Sequence, residues 1–266
     1  MAIRLAMQNT HVKSLVITGA SSGLGLALAR HYLERGATVA AFARRGELLQ
    51  GLATEFPEQV FCYALDVRDA TAVQSAANDF IAHAGVPDVV IANAGVSVGT
   101  LTEYAEDIEA FQQLMDINVL GMVKTFQPFV AAMRAKQQGT LVGIASVAGL
   151  RGLPGASAYS ASKAAAISYL ESLRVELHGS GVKVVTICPG YIRTPMTAVN
   201  PYTMPFILDA DETAKRMARA IARQTSFSVI PWQMGLVGHV LKWLPRWLYD
   251  SLFAKAPRKP RGPGNA

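Results

Sequence analysis

The chain has 266 residues, of which 51% are hydrophobic and 17% charged, so it has the length and apolar content of a single α/β domain with a large core. No run of about 18 apolar residues is free of charge, which argues against a transmembrane helix. The net charge is +6, but four of these charges come from Lys255, Arg258, Lys259 and Arg261. The rest of the chain therefore lacks a strong basic field, and nucleic-acid binding is not expected.

The two cysteines, Cys62 and Cys188, lie in apolar runs, which indicates buried free thiols in a reducing cytoplasm. No CxxC pattern or Cys/His cluster suggests a metal site. The first ten residues lack the apolar region of a signal peptide, because polar residues interrupt them from Gln8 onward. A cytoplasmic protein is expected.

Short apolar runs alternate along the chain with longer amphipathic stretches. Strands are predicted over 14–18, 38–43, 60–64, 89–93, 140–146, 183–188 and 228–230. Helices are predicted over 23–34, 46–56, 69–83, 107–134, 159–178 and 211–224. Continuously hydrophobic strands separated by helices indicate a Rossmann-type, doubly wound parallel sheet of about seven strands with helices on both faces.

The chain shows no internal repeat and no linker before residue 254. We expect one domain over 1–253, with a variable segment at about 195–253. The tail 254–266 is basic and rich in proline and glycine, and is expected to be disordered.

A glycine-rich loop, Thr18-Gly-Ala-Ser-Ser-Gly-Leu-Gly25, follows the first predicted strand. Its glycines allow a tight turn and close approach of a pyrophosphate to backbone N–H groups, and the following helix N-terminus adds positive potential. The spacing is GxxxGxG, which differs from the GxGxxG dinucleotide fingerprint. A glycine-rich turn without a ligand therefore stays open as an alternative.

Tyr159 and Lys163 lie in Ser157-Ala-Tyr-Ser-Ala-Ser-Lys163, where the four-residue spacing puts both on one face of a helix. A free tyrosine titrates near pH ~10, and a fixed cation beside it lowers that pKa. Such a tyrosine can give a proton to a carbonyl oxygen or take one from an alcohol. By itself, the pair could equally be a surface tyrosine and a solvated lysine.

These two motifs, taken with others in order, resemble the short-chain dehydrogenase/reductase family over about residues 13–194. Each motif alone is weak, but the order and spacing of all of them match the family. The further matching residues are Asp66 and Val67, Asn93, Ala94 and Gly95, Asn118, Ser146, and Pro189, Gly190, Ile192 and Thr194.

The resemblance implies hydride transfer between nicotinamide C4 and a carbon bearing oxygen. It implies that Tyr159 is the general acid or base and that Lys163 lowers its pKa and binds ribose hydroxyls. Ser146 would orient the substrate oxygen, and Asn118 would hold a relay water. It assigns cofactor binding to Tyr159 and Lys163 and to the loop and strand-end residues Gly19, Ser21, Ser22, Gly23, Leu24, Gly25, Arg44, Arg45, Asp66, Val67, Asn93, Ala94, Gly95, Pro189, Gly190, Ile192 and Thr194.

The end of the second predicted strand bears on the choice of cofactor. NAD-specific sites place a carboxylate there for the ribose 2′-OH, whereas an arginine accommodates the 2′-phosphate of NADP. Here Ala43 is followed by Arg44 and Arg45, and Arg44 can present a planar fork to a phosphate. The sequence therefore predicts NADP(H), with NAD(H) as the alternative if both arginines are simply solvated.

The residues expected around the substrate are apolar, so the predicted substrate is an apolar or lipid-like carbonyl compound or alcohol. These residues are Leu150, Leu153, Tyr191, Met196, Met204, Phe206 and Ile207. All three tryptophans lie in 232–253, which Pro245 should kink or divide. That segment could form a substrate wall, an oligomer interface or, helped by the basic tail, a peripheral membrane contact.

Three functions are compatible with these patterns. The first is an NADPH-dependent carbonyl reductase that assembles as a homo-dimer or homo-tetramer, as the resemblance implies. The others are an NAD-dependent alcohol dehydrogenase working oxidatively, and a nucleotide-binding regulator that keeps the fold without turnover. The intact set of Asn118, Ser146, Tyr159 and Lys163 argues against the regulator.

Overall fold

The computed structural model describes residues 12–262, so the predictions for the first residues and for the last four lie outside the described part of the chain. A seven-stranded parallel sheet with the order β3-β2-β1-β4-β5-β6-β9 forms the core. The predicted doubly wound α/β class is confirmed. The strands are β1 (Ser14–Thr18), β2 (Thr38–Ala43), β3 (Val60–Ala64), β4 (Val89–Ala92), β5 (Gly139–Ile144), β6 (Val182–Pro189) and β9 (Phe227–Ile230).

Helices cover both faces of this sheet, and a separate two-stranded pair of β7 (Ile192–Arg193) and β8 (Leu208–Asp209) lies beyond the end of β6. The helices are α1 (Gly23–Leu33), α2 (Gly46–Glu55), α3 (Ala70–Ala84), α4 (Asp107–Met115), α5 (Gly121–Lys136), α6 (Ser157–Glu176), α7 (Pro195–Ala198), α8 (Ala210–Ala222), α9 (Trp232–Trp243) and α10 (Arg246–Phe253).

Alternate residues of the central strands supply two separate hydrophobic layers. On one face Ile17 packs with Leu28 of α1 and with α8. On the other face Val16 packs with Phe126 of α5 and Leu170 of α6. Since both faces are covered, every residue of β1 is buried, which is why the strand is apolar without alternation.

The strand order reverses at β1. The chain runs from β1 outward to β2 and β3, then returns to β4 on the other side of β1. In open α/β sheets this switch point opens a crevice at the carboxyl ends of the strands, where ligands bind. The glycine-rich loop leaves β1 at this crevice, and Asn93 follows β4 there.

The helix predicted over 107–134 is interrupted by a π-helical turn at Asp116–Leu120. This turn contains Asn118, which is 1% exposed. Single π-turns within helices often occur at functional sites, because the extra residue re-aims side chains. Sequence periodicity gave no sign of it.

The C-terminal segment divides at Pro245 into α9 and α10, as predicted. The inner face of the two helices packs on the loop after β5: a side chain at Gly238 would meet Leu150, and the Tyr249 hydroxyl donates to Gly152 O. All three tryptophans instead point outward. Within residues 12–262, no helix is both long and apolar enough to cross a membrane.

The described part of the basic tail makes contacts with the domain. Residues 255–262 turn back onto the loop after β4, where the Gly99 N–H donates to Pro260 O at 3.0 Å. Arg261 forms ion pairs with Glu106 and Asp107. Composition alone suggested a solvated tail, because local composition does not reveal acidic partners more than a hundred residues away.

Candidate active site

The glycine loop has the geometry of a phosphate cradle. Gly19 and Gly23 have φ of +71° and +55°, values that favour glycine. At Gly25 a Cβ would overlap Gly19 O and lie 2.5 Å from Asn93 Nδ2, so only glycine fits. Ser22 is the N-cap of α1, but its side chain caps no backbone amide and the first turn holds no acid. The amide groups at this helix start are therefore suited to binding an anion.

The end of β4 is joined to the end of β1 through Thr18 and Asn93. Asn93 Nδ2 donates to Thr18 O at 3.0 Å. In the other direction, Thr18 Oγ1 accepts the backbone N–H groups of Asn93 at 3.1 Å and Ala94 at 3.0 Å. Asn93 and Ala94 thus hold the glycine loop in place, and Thr18, which is fully buried, is a positioning residue absent from the predicted set.

The segment after β6 covers the same loop from the opposite side. A Cβ at Gly23 would lie 3.2 Å from Thr194 Cγ2, so Thr194 faces the start of α1. Thr194 and Thr197 form a capping box at the start of α7. Gly190 approaches Met234 of α9, and Ile192 is buried between these contacts.

The two predicted phosphate-binding arginines are exposed and lie in different places. Arg45 Nη2 donates to Ser22 Oγ at 2.9 Å and lies 3.2 Å from Ser21 Oγ. Arg44 instead lies close enough to Asp66, which follows β3, to influence its charge. The pKa of Asp66 is lowered chiefly by its hydrogen bonds from Arg68 and to a smaller extent by Arg44.

Tyr159 and Lys163 lie on one face of α6, as the spacing predicted. Lys163 Nζ is 5.9 Å from the centroid of the Tyr159 ring and donates to Ile144 O at 2.9 Å. The lysine is 4% exposed, and burial lowers its pKa to about 8.

The predicted lowering of the Tyr159 pKa does not occur within the protein alone. Burial raises the pKa of the Tyr159 phenol, and the hydroxyl of Ser146 opposes that shift only in part. The reason is that removing a phenolate from water costs more than the hydrogen bond with Ser146 returns. Cys188, which follows the same trend with a pKa of about 12, is buried nearby.

Three hydrogen bonds hold the side chain of Asn118 in place. Its Oδ1 accepts the Val96 N–H at 2.9 Å, and its Nδ2 donates to Val96 O at 3.0 Å and to the Ser162 hydroxyl at 2.9 Å. Ser162 in turn donates to Tyr159 O at 2.8 Å. A Cβ on Gly95 would lie 3.1 Å from Asn118 Oδ1 and 3.5 Å from Lys163 Nζ, so this glycine keeps the space between them open.

The structure brings the predicted residues to one edge of the sheet. Ser146, Tyr159, Lys163 and Asn118 lie beyond β5 and β4, next to the cradle on β1. Val67 packs on Gly121 at the start of α5, and Leu24 lies in the first turn of α1. Sequence reasoning missed Thr18, Arg68, Ser162 and Tyr202, the last of which is close enough to Tyr159 to be influenced by its charge. Within residues 12–262, no cluster of His, Cys, Asp and Glu could hold a metal ion.

A parallel doubly wound sheet with a phosphate cradle at its switch point and a Tyr/Lys pair beside it defines a dinucleotide-dependent oxidoreductase. The model of the short chain dehydrogenase family matches residues 13–204. The chain belongs to this family.

Known relatives agree with this assignment. An uncharacterized oxidoreductase of Myxococcus xanthus is 38% identical over 92% of this chain and 98% of its own. A 2-dehydro-3-deoxy-L-rhamnonate dehydrogenase (NAD(+)) of Sphingomonas is 36% identical over 68% and 72% of the two chains. A short chain dehydrogenase of Burkholderia cenocepacia, solved in complex with NADP, is 26% identical, with a TM-score of 0.79 over 91% of this chain and 97% of that one.

Proposed function

We propose that the protein reduces the carbonyl group of an apolar or lipid-like substrate with NADPH and catalyses the reverse oxidation of the secondary alcohol. The observation that carries the proposal is the placement of Tyr159, Lys163, Ser146 and Asn118 beside an uncapped glycine cradle. Lys163 is held by the Ile144 carbonyl group of β5, and Asn118 by Val96 and Ser162, as a preorganised site requires.

The residues fit the two halves of a carbonyl reduction. Bound NADPH supplies a hydride to the carbonyl carbon. The Tyr159 hydroxyl gives its proton to the carbonyl oxygen, which becomes the alcohol hydroxyl, and it takes that proton back in the oxidative direction. Ser146 orients the oxygen. Lys163 returns a proton to Tyr159 and is itself reprotonated from solvent through a water held by Asn118, which lies across Gly95 from Lys163.

Two features support NADP(H) over NAD(H). No carboxylate stands at the end of β2, where Ala43 is buried. Arg45 donates hydrogen bonds to the two loop serines, so a 2′-phosphate bound there would meet a guanidinium group and two hydroxyls. The Burkholderia structure with NADP has the same fold. The Sphingomonas relative, by its name, uses NAD(+), which keeps NAD(H) as the alternative to be tested.

An apolar substrate is supported by the side chains around the site. Tyr191 and Tyr202 meet edge to face at 6.3 Å between ring centroids, and burial raises the pKa of both. Met196 and Phe206 of the same segment are 41% and 50% exposed, so they are available to cover a bound molecule. Apolar side chains of this kind bind hydrocarbon better than a sugar.

We also propose two contacts beyond the substrate. A homo-oligomer is supported by exposed apolar side chains on the long helices, namely Ile108, Leu120 and Val175. A peripheral contact with an anionic membrane surface is supported by the outward face of α9 and α10. We call this the tryptophan face; it consists of Trp232, Leu236, Val240, Trp243 and Trp247, bordered by Lys242 and Arg246.

Substitution of the general acid tests the proposal. Tyr159→Phe should bind NADPH as wild type does and lower kcat for apolar ketones by about 10²- to 10⁴-fold, the share that a general acid contributes. Arg35→Ala, at the far end of α1, is the control and should keep full activity. If Tyr159→Phe reduces ketones at the wild-type rate, or if neither nicotinamide cofactor binds, the proposed function is wrong and a non-catalytic nucleotide-binding role takes its place.

A further inference from the structure

Residues 255–262, which we call the C-terminal strap, lie along the loop after β4 and next to Met196. The backbone of the strap pairs in parallel with the loop after β4, at Gly99 and Arg261. A Cβ on Gly99 would overlap the Lys259 carbonyl oxygen, and a Cβ on Gly155 would lie 2.7 Å from the Cβ of Arg258. Two glycines therefore permit the strap to pack in direct backbone contact with the domain.

Arg261 anchors the strap. Its Nε lies 2.9 Å from Asp107 Oδ2 and its Nη2 lies 2.9 Å from Glu106 Oε1. Its guanidinium carbon is 3.4 Å from the centroid of the Tyr104 ring. The Asp107 carboxylate also accepts the Leu101 N–H at 2.7 Å, so the anchor and the loop share one acceptor. A bidentate, stacked arginine of this kind fixes the residues on either side of it.

Lys259 is a partly buried cation that the proposed reaction does not use. Its Nζ donates to Ser97 Oγ at 2.9 Å and lies 3.5 Å from Met196 O. Both partners are neutral, and within residues 12–262 no carboxylate lies within 4 Å of this nitrogen. Burial alone lowers its pKa to about 8, so the group is mostly an ammonium ion at neutral pH. A buried ammonium without a counter-ion is stabilised by any anion that reaches it.

The two partners of Lys259 place it on the substrate side. Ser97 is two residues after Gly95, which separates Asn118 from Lys163. Met196 is two residues after Thr194, which faces the start of α1. The ammonium group therefore joins the loop beside the catalytic residues to the segment that closes over the substrate.

We propose that Lys259 is a specificity-determining residue that binds a carboxylate on the carbonyl substrate, so that the preferred substrate has an apolar chain and an acidic end. This inference rests on the proposed function and names its substrate class. The strap then acts as a wall of the site, and Arg261 holds Lys259 in place. A phosphate of the cofactor is the alternative anion, and the experiment separates the two.

The experiment compares straight-chain methyl-ketone carboxylates of increasing length with their methyl esters, using NADPH and purified full-length protein. Wild type should have a higher kcat/KM for the acid of the best length than for its ester. Lys259→Met should lower kcat/KM for that acid by about 10- to 100-fold, the value of a charge-assisted hydrogen bond, and leave the ester and the Kd for NADPH unchanged. Lys255→Met, which removes an exposed lysine at the start of the strap, should change nothing.

Further variants guard against a purely structural effect. Lys259→Arg should keep most of the preference for the acid, and Arg261→Ala should lose it together with the anchor. Equal losses on acid and ester, a wild type without preference for acids, or weaker NADPH binding by Lys259→Met would each overturn the proposal. Failure of the proposed function has a different signature, because Tyr159→Phe would then leave the reduction of the esters unaffected.

Discussion

A hydrogen bond of 2.9 Å joins Arg45 Nη2 to the hydroxyl of Ser22, the N-cap residue of α1. The end of β2, the glycine loop and the first turn of α1 therefore meet at one guanidinium group. Arg44, one residue earlier, contributes to the lowered pKa of Asp66, which follows the neighbouring strand β3. The charge logic at the end of β2 singled out Arg44, whereas the geometry puts Arg45 closer to the cradle.

We therefore predict that Arg45→Ala raises the Kd for NADPH by about 10- to 100-fold, because it removes a charge-assisted contact to the 2′-phosphate. The Kd for NADH should not change, since NADH lacks that phosphate. Arg44→Ala should act in the same direction. Titrations of each variant with the two cofactors measure both effects, and Arg35→Ala is the control for a lost surface charge.

Different results would change the assignment. If wild type binds NADH as tightly as NADPH, the 2′-phosphate site is wrong and an oxidising NAD-dependent alcohol dehydrogenase becomes the leading function. If Arg45→Ala weakens the binding of NADPH and NADH equally, Arg45 holds the loop in place through Ser21 and Ser22 and does not bind the 2′-phosphate.

Much of this architecture is predictable because the relevant signals are local. A strand buried on both faces must be apolar throughout, so β1 is visible as a short apolar run. The loop can be recognised in the sequence by its glycines, because only glycine suits these positions: Gly19 and Gly23 have positive φ, and Gly25 has no room for a side chain. The pair Tyr159 and Lys163 is visible because helix geometry converts a spacing of four into a shared face.

The features that were missed depend on contacts between distant parts of the chain. The π-helical turn that contains Asn118 is too short to leave a hydrophobic periodicity in the sequence that would indicate it. Ser162 looks like any small residue of α6 until Asn118 is placed against it. The contacts of the strap could not be expected from its composition, because its acidic partners, Glu106 and Asp107, lie about 150 residues earlier and no local rule links them to Arg261.

Gly25→Ala should abolish cofactor binding, because the added Cβ would overlap Gly19 O and force the cradle open. Gly51→Ala is a matched control in α2, where a Cβ meets nothing within 4 Å. The Gly51→Ala substitution should stabilise the protein by about 0.5–1 kcal/mol, because alanine is favoured over glycine within a helix by about this amount. It should leave NADPH binding intact. Thermal unfolding and NADPH titration of both variants provide the measurement. Normal NADPH affinity in Gly25→Ala would contradict the assignment of the loop.

Ser162→Ala should lower stability by about 1–3 kcal/mol, because it leaves the buried Nδ2 of Asn118 without one of its acceptors. It should also lower kcat several-fold while KM stays the same, since Ser162 positions Asn118 and the backbone of Tyr159 without touching substrate. Urea unfolding and steady-state kinetics test both parts. Ser160→Ala is a matched buried serine on the same helix, and it should leave kcat unchanged. A Ser162→Ala enzyme with wild-type kcat would show that the link to Asn118 has no catalytic consequence.

Lys163 should make stability depend on pH in the alkaline range. Its pKa falls from 10.5 to about 8 on folding, so between those values the unfolded chain binds more protons than the folded one. The free energy of unfolding therefore rises with pH through this window. Relative to Lys163→Met, wild type should gain on the order of 2 kcal/mol between neutral pH and about pH 9.5.

The comparison with Lys163→Met is needed because Tyr159 and Cys188 have raised pKa values and act in the opposite direction at higher pH. Urea unfolding of the two proteins at each pH gives the difference directly. A difference that stays constant, or falls, across the window would mean that Lys163 is not buried as a cation in the free protein.

The tryptophan face should bind anionic vesicles. Trp243 and Trp247 are 73% and 72% exposed, next to Lys242 and Arg246, so the face combines aromatic side chains suited to the headgroup region with adjacent positive charge. The double variant Trp243→Ser/Trp247→Ser should lose co-sedimentation with phosphatidylserine vesicles and keep its ketone reductase activity. Leu48→Ser, which removes an exposed apolar side chain from α2, should keep both vesicle binding and ketone reductase activity. If wild type does not sediment with the vesicles and the double variant instead changes from oligomer to monomer, the tryptophan face binds a second copy of the chain and no membrane.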